Sequence, residues 1–181
     1  MCNLEGYHVE HTFRVSAVGG GVSIFCSKRF KIEKLDELSL CNDFMETRTI
    51  QIDIGTISIV IIGIYRPPSS PVDSFIEAVE NIVCNQTLDN KLVLIAGDMN
   101  LNLSNTDNLS INQYLSTHNS YFFVPVISKP TRFPPNNSDI RPSTLDHIYI
   151  NINHNTWAGI IYWNDTDHLP TFIKFKLSIP F

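Results

Sequence analysis

The chain has no Cys-x-x-Cys pair, no surplus of basic residues and no apolar run long enough to cross a bilayer. Each absence excludes something. The four cysteines, Cys2, Cys26, Cys41 and Cys84, stand far apart, which argues against a zinc site and against a disulfide framework. Cys26 and Cys84 lie in apolar contexts and read as buried, reduced thiols of an intracellular protein. Lysine and arginine number 13 against 18 aspartates and glutamates, for a net charge of -5, whereas a non-specific nucleic-acid binder is usually basic. A nuclease escapes that objection, because catalytic carboxylates add negative charge that a divalent cation offsets locally. The longest apolar stretch, residues 57–64, is broken by Ser58 and Gly63 and falls well below the ~20 residues of a membrane helix. No membrane partner is expected. The opening Met1-Cys2-Asn3-Leu4-Glu5-Gly6 has neither a basic nor an apolar region, so no secretory leader is expected. Triplets such as Asn85-Gln86-Thr87 then read as chance glycosylation motifs in an Asn-rich chain. No repeat and no long linker divides the sequence, which reads as one domain over residues 1–181.

What is present is a series of β-patterned segments with two helical ones among them. Gly19-Gly20-Gly21 leads into a strand at 22–26. Residues 50–54 alternate cleanly, residues 57–64 are largely β-branched, and Gly55-Thr56 between them makes a hairpin. Pro67-Pro68-Ser69-Ser70-Pro71 is a loop. Phe75, Ile76, Val79, Ile82 and Val83 fall at helical spacing over 73–83, with Ser70 or Asp73 as the expected cap. Residues 92–96 are apolar on both faces, the mark of a central strand. A loop at 102–108, a weaker helix at 109–117 and a short strand at 122–124 follow. Residues 129–142 form a long polar, proline-rich loop of the kind that often carries function. Strands are expected at 145–150, 159–163 and 171–177. Strands in this order with two interspersed helices predict two packed sheets flanked by helices.

Three polar motifs stand where strands end. Gly97-Asp98-Met99-Asn100 closes the 92–96 strand. Asp98 and Asn100, two apart, project to the same side if the backbone stays extended, where a carboxylate can take a proton from water and an amide can hold a phosphoryl oxygen. The same residues are also the commonest turn formers. Asp146-His147 and Asp167-His168 each border an apolar strand. A histidine that stabilises a phosphoryl transition state needs a carboxylate on its far nitrogen, and either aspartate can serve either histidine. Tyr65-Arg66-Pro67-Pro68 and Thr131-Arg132 offer phosphate contacts, or a tyrosine packed under a turn and an ordinary surface. Trp157 and Trp163 read as packing residues before they read as base-stacking ones. His8, His11, His118 and His154 read as surface residues.

Taken together, Gly19-Gly20-Gly21-Val22, Tyr65-Arg66-Pro67-Pro68, Gly97-Asp98-Met99-Asn100, Ser143-Thr144-Leu145-Asp146-His147 and Asp167-His168-Leu169-Pro170 occur in an order and spacing that resembles the endonuclease/exonuclease/phosphatase superfamily. The closest resemblance is to the apurinic-type endonuclease domain of non-LTR (LINE-type) retrotransposons. The resemblance implies an α/β fold, a DNase I-like four-layer sandwich of two mixed sheets between helices. It implies Mg²⁺- or Mn²⁺-dependent phosphodiester hydrolysis that nicks DNA, and hence a DNA partner and a nuclear location. By motif, Asp98 would orient or deprotonate water, Asn100 would position the scissile phosphate, and His168 would stabilise the transition state with Asp146 holding its ring. Asp167 would lie at the metal, Tyr65 would bond the phosphate, and Thr131 would be the loop threonine near the site. The polar loop itself predicts Thr131 or Arg132 facing the substrate groove.

The chain departs from the family in one respect. Members carry an Asn-bearing strand and a metal-binding Glu, followed by Thr-Trp, before the Gly-rich strand. Glu5 and Glu10 precede Gly19 without that context, and Glu46-Thr47 follows it. The resemblance therefore implies a domain lacking its first strand or strands, with the reverse-transcriptase region of a full-length relative also absent. Weak activity, or a non-catalytic remnant, is the corresponding expectation; a small-molecule phosphoesterase of the same fold is the other rival.

Overall fold

The computed structural model describes residues 4–14, 19–134, 139, 141–151, 156–163 and 165–177. Cys2 and His154 lie outside the described residues, as does part of the 129–142 loop. The strands are β1 (Tyr7–Thr12), β2 (Val22–Ser27), β3 (Ile32–Lys34), β4 (Glu46–Ile54), β5 (Ile57–Tyr65), β6 (Leu92–Asp98), β7 (Val124–Pro125), β8 (Asp146–Ile150), β9 (Thr156–Ile160) and β10 (Thr171–Phe175). The helices are α1 (Val72–Val83) and α2 (Leu109–Ser120). Six strands form one mixed sheet in the order β3-β4-β5-β6-β8-β7, and β1-β2 and β9-β10 form two separate antiparallel ribbons. No helix of the described residues is long and apolar enough to cross a membrane.

Strand alternation divides the sheet into two faces. Val60, Ile62 and Ile64 of β5, Val93 and Ile95 of β6 and Tyr149 of β8 pack under Phe75, Ile76, Val79 and Ile82 of α1 and Ile111 and Tyr114 of α2. The other face carries Ile59, Leu92 and Ile150 against Ile173 and Phe175 of β10, and Ile50 and Ile52 against Cys26 and Ile24 of β2. β6 is indeed central, paired parallel to β5 and antiparallel to β8. The β1-β2 ribbon is fastened by charge as well. Glu10 receives Arg48 of β4 at 2.5 Å and Lys34 of β3 at 2.7 Å. That is the structural place of one of the two early glutamates.

Several local expectations shift. α1 starts after Pro71 with no side-chain cap, whereas Asn108 caps α2 through Ser110 and Ile111 N–H. The short strand after α2 is Val124–Pro125, because Phe122 sits in a turn at φ 63° and is exposed. β1 and β3 carry mixed polar patterns that periodicity did not pick out. Cys26 is buried, but Cys84 is exposed, on the solvent side of the α1 C-terminus. Trp157 and Trp163 are 67% and 54% exposed rather than packed, and Lys174 lies over the Trp157 ring at 5.3 Å.

His118 corrects the surface reading most sharply: it is 1% exposed and stacks on Tyr149 at 3.8 Å between centroids. Its Nδ1 donates to Tyr114 O at 3.0 Å. His147 is equally buried; its Nε2 donates to Leu101 O at 2.9 Å and its Nδ1 accepts from the Tyr114 hydroxyl at 3.3 Å. Burial holds each imidazole down to about 4. An unfolded histidine takes a proton near pH 6.5, so below that pH the unfolded chain binds protons that the fold refuses. Stability is therefore full above pH 6.5 and falls as pH drops toward 4. We expect Tm to fall on the order of 5–10 °C between pH 7 and pH 5, and His118→Phe to flatten part of that dependence. A wild-type Tm that stays level across this range would contradict the neutral buried pair.

Candidate active site

The register of four strands builds the site. β4 pairs Glu46 with Tyr65, β5 pairs Tyr65 with Asp98, and β6 pairs Asp98 with Asp146. These four residues make one transverse row at one rim of the sheet, and directly opposed residues share a face. Gly97 makes the row possible. Its φ is 152°, and a Cβ there would stand 1.8 Å from Ile64 O. No side chain fits between β5 and β6 at that point.

Past Gly97 the chain turns at once. Asn100 adopts φ 47°, a left-handed conformation that asparagine tolerates. Its N–H donates to Asp98 Oδ1 at 3.0 Å, and its Nδ2 donates to Arg66 O at 2.9 Å. Arg66 is 2% exposed, and its guanidinium donates to Asn100 O at 3.2 Å and to Ser70 O. Arg66 thus holds the Asn100 turn and is no phosphate contact.

The third contribution comes from the segment before β10. His168 Nδ1 meets Asp146 Oδ2 at 3.0 Å and Oδ1 at 3.2 Å. Asp98, Asp146 and His168 offer ligand atoms that all lie within 4.8 Å of one another. All three are partly exposed, so the cluster opens to solvent. Burial pushes the Asp98 carboxyl up, the Asn100 N–H pulls against it, and the Asp146 charge adds to the rise.

The loop expected beside the site begins there. Arg132 makes backbone bridges to both Ser143 and His168, and Phe133 N–H donates to Asp167 O at 2.7 Å. Arg132 Nε donates to Asp167 Oδ2 at 2.8 Å, which holds the Asp167 carboxyl below its usual range. Thr131 corrects the expectation of a substrate contact. It is 0% exposed, and its Oγ1 accepts from Leu145 N–H and Asp146 N–H, each at 3.0 Å. Its carbonyl accepts from Leu169 N–H at 2.7 Å. Thr131 ties the start of β8 to the His168 segment from behind, so it sets the Asp146–His168 geometry without facing a groove.

The carboxylates of Asp98 and Asp146 suit a hard divalent cation such as Mg²⁺ or Mn²⁺, which takes few protein oxygens and keeps water. Asp167 is outside the cluster of Asp98, Asp146 and His168. Its Oδ2 is taken by Arg132.

Sequence reasoning set Glu46 aside, yet the structure places it at the end of the row, 0% exposed. The signal was available: a two-residue turn at Gly55-Thr56 pairs Ile54 with Ile57, and counting outward sets Glu46 opposite Tyr65.

No protein-family model matches the chain, and no curated protein matches it. Solved structures do. The endonuclease domain of TRAS1, a telomere-specific non-LTR retrotransposon, superposes with a TM-score of 0.76 at 15% identity, over 96% of this chain and 82% of that one. An endonuclease/exonuclease/phosphatase family protein from Leptotrichia buccalis gives 0.69 at 14% identity, over 96% and 74%. D. rerio TDP2, complexed with a single-strand DNA product, gives 0.65 at 12% identity, over 95% and 80%. With these likenesses, the mixed sheet and its rim of polar residues give the chain the α/β, DNase I-like fold of the endonuclease/exonuclease/phosphatase proteins.

Proposed function

We propose that this chain is a divalent-metal-dependent phosphodiesterase, a DNA-nicking endonuclease domain of a retroelement. The observation that carries the reading is the meeting of Asp98, Asp146 and His168 within 4.8 Å, from two strands and a loop far apart in sequence. The DNA partner, a nuclear location and the reverse-transcriptase region expected in a full-length relative are parts of the same proposal. The likeness to the TRAS1 domain supports the retroelement reading, and the likeness to TDP2 with its single-strand DNA product supports the DNA partner.

Asp98 and Asp146 would hold the cation, Mg²⁺ or Mn²⁺. When bound, it supplies positive charge against the phosphoryl oxygens. Asp98, its Oδ1 fixed by the Asn100 N–H, would orient the attacking water and take its proton as the water oxygen bonds to phosphorus; the opposite P–O bond breaks, and its oxygen leaves as an alcohol after taking a proton from solvent. Asn100, fixed by Arg66 O, offers its remaining amide N–H to a phosphoryl oxygen. His168 has Nδ1 committed to Asp146, which fixes the ring and leaves Nε2 for the phosphoryl oxygen. Tyr65, beside Asp98 in the row, brings a hydroxyl to the same phosphate. Arg132 is the loop residue placed to meet the strand.

Supercoiled-plasmid relaxation tests the reading. We expect slow Mg²⁺-dependent nicking that EDTA stops, reduced about 10²-fold or more in Asp98→Ala and in His168→Ala. Nicking that persists in Asp98→Ala would sink the assignment.

The raised Asp98 carboxyl also has a stability consequence. A folded pKa above the unfolded one contributes stability below the unfolded pKa that is lost as pH rises through the folded value. In EDTA, Asp98→Asn should therefore raise Tm at pH 7, by roughly 2–4 °C for each kcal/mol of relief, with the gain disappearing near pH 3.5. An unchanged or lowered Tm at pH 7 would show that the carboxylate is not held at a cost.

For the loop, Arg132→Ala should weaken DNA binding and lower the log–log salt slope by about 1, while Asp167→Asn, which frees the guanidinium, should strengthen binding. Equal slopes for Arg132→Ala and wild type would make Arg132 part of the scaffold.

A further inference from the structure

Glu46 is the member of the transverse row that the proposed chemistry does not use, and it is built in with care. Its carboxylate is buried, Oε1 forms an ion pair with Arg14 Nε at 2.6 Å, and neither carboxylate oxygen has an aligned hydrogen bond among the described residues. The Arg14 side chain keeps 17% of its surface in solvent, and its Nη2 lies 3.5 Å from Gly19 O. Gly20, at φ +86°, closes over the pair. A Cβ there would stand 2.8 Å from Glu46 Oε1, 2.9 Å from Tyr65 Cε1 and 3.0 Å from Arg14 Nη2. The backbone has thus been brought onto a carboxylate, a guanidinium and the proposed phosphate-binding tyrosine at one point.

Position separates this pair from the structural one beside it. Glu10 and Arg14 are four apart, so both turn inward from the β1 ribbon if the backbone stays extended. Glu10 meets Arg48, two residues inside the rim, and fastens β1 to the sheet. Arg14 lies beyond the last paired residue of β1, Thr12, and reaches the rim itself. A guanidinium carries five donors in a fixed fork; among the described residues the Gly19 carbonyl takes one, at 3.5 Å, and Glu46 holds the group by charge. Glu46 lies two strand spacings from Asp98, roughly 10 Å along the row, a reach suited to a phosphate next along the strand from the one being cleaved. The chain is acidic overall, and Arg132 is tied to Asp167, so an anchored cation on this side has work to do.

We propose that Glu46 and Arg14 form a phosphate anchor. Glu46 is the positioning residue that fixes the guanidinium, and Arg14 receives a backbone phosphate neighbouring the scissile one. The inference rests on the DNA-substrate reading above. The test is fluorescence anisotropy of a labelled duplex oligodeoxynucleotide in EDTA over a series of KCl concentrations, so that cleavage plays no part. Arg14→Ala should weaken binding about threefold to tenfold and lower the log–log salt slope by about 1. Arg14→Lys should keep the slope and lose part of the affinity, because a point charge lacks the fork. Glu46→Gln should keep the slope and weaken binding by leaving the guanidinium unfixed. Since Arg14→Ala strands a buried carboxylate, the double variant Arg14→Met/Glu46→Gln removes both charges and preserves packing; it too should lose about 1 from the slope. A folded double variant with the wild-type slope overturns the anchor and leaves the function standing. Wild-type protein without salt-dependent binding overturns the DNA reading and the anchor with it.

Discussion

The site depends first on strand register. Four neighbouring strands carry their chemical residues at one transverse level, Glu46, Tyr65, Asp98 and Asp146. A slip of one residue in any pairing would send that strand's member to the helical face. Two features pin the register. The two-residue turn at Gly55-Thr56 fixes β4 against β5 over nine residue pairs. Gly97 lets β6 close on Ile64 of β5 where any Cβ would collide. Apolar burial on both faces then makes the slipped states expensive, because each would expose residues such as Ile62 and Ile95 that are now fully buried.

Around that row two buried polar side chains, Thr131 and Arg66, are held by backbone. Thr131 accepts the Leu145 and Asp146 N–H groups on its hydroxyl oxygen and the Leu169 N–H on its carbonyl. Arg66 gives its guanidinium to the Asn100 and Ser70 carbonyls. Both residues are buried, and both act on the site through the conformation of neighbours. This is how a rim made of strand ends and loops is kept near a productive geometry: the loops carry function while the sheet supplies rigidity.

The parts legible in the sequence were those governed by short-range rules. The β4-β5 hairpin, the α1 periodicity, the central β6 and the polar motifs at strand ends all follow from spacing within a few residues. What escaped depended on contacts distant in sequence. β1 carries His8, Glu10 and Thr12 on its inward face, and only Arg48 and Lys34 make Glu10 tolerable there. His118 looks like a solvated helix residue until Tyr149 is laid on its ring. Thr131 and Arg132 are adjacent, yet one is buried and the other faces the solvent side, a distinction set by the strand-like bridge of Arg132 to Ser143 and His168.

The two Asp-His dipeptides show the same limit from the side of chemistry. Adjacent strand residues point to opposite faces, so Asp146 and His147 cannot serve one another. β8 sends Asp146 to the rim and His147 into the aromatic core beneath α2, against Tyr114. His168 lies in the loop ahead of β10, and Asp146 takes its Nδ1, while Asp167 turns to Arg132. Alternation along β8 therefore puts Asp146 at the rim, where His168 reaches it from a loop, and leaves His147 in the core, kept neutral by burial. It splits one dipeptide between the rim and the core, from residues that the sequence alone presents as equivalent.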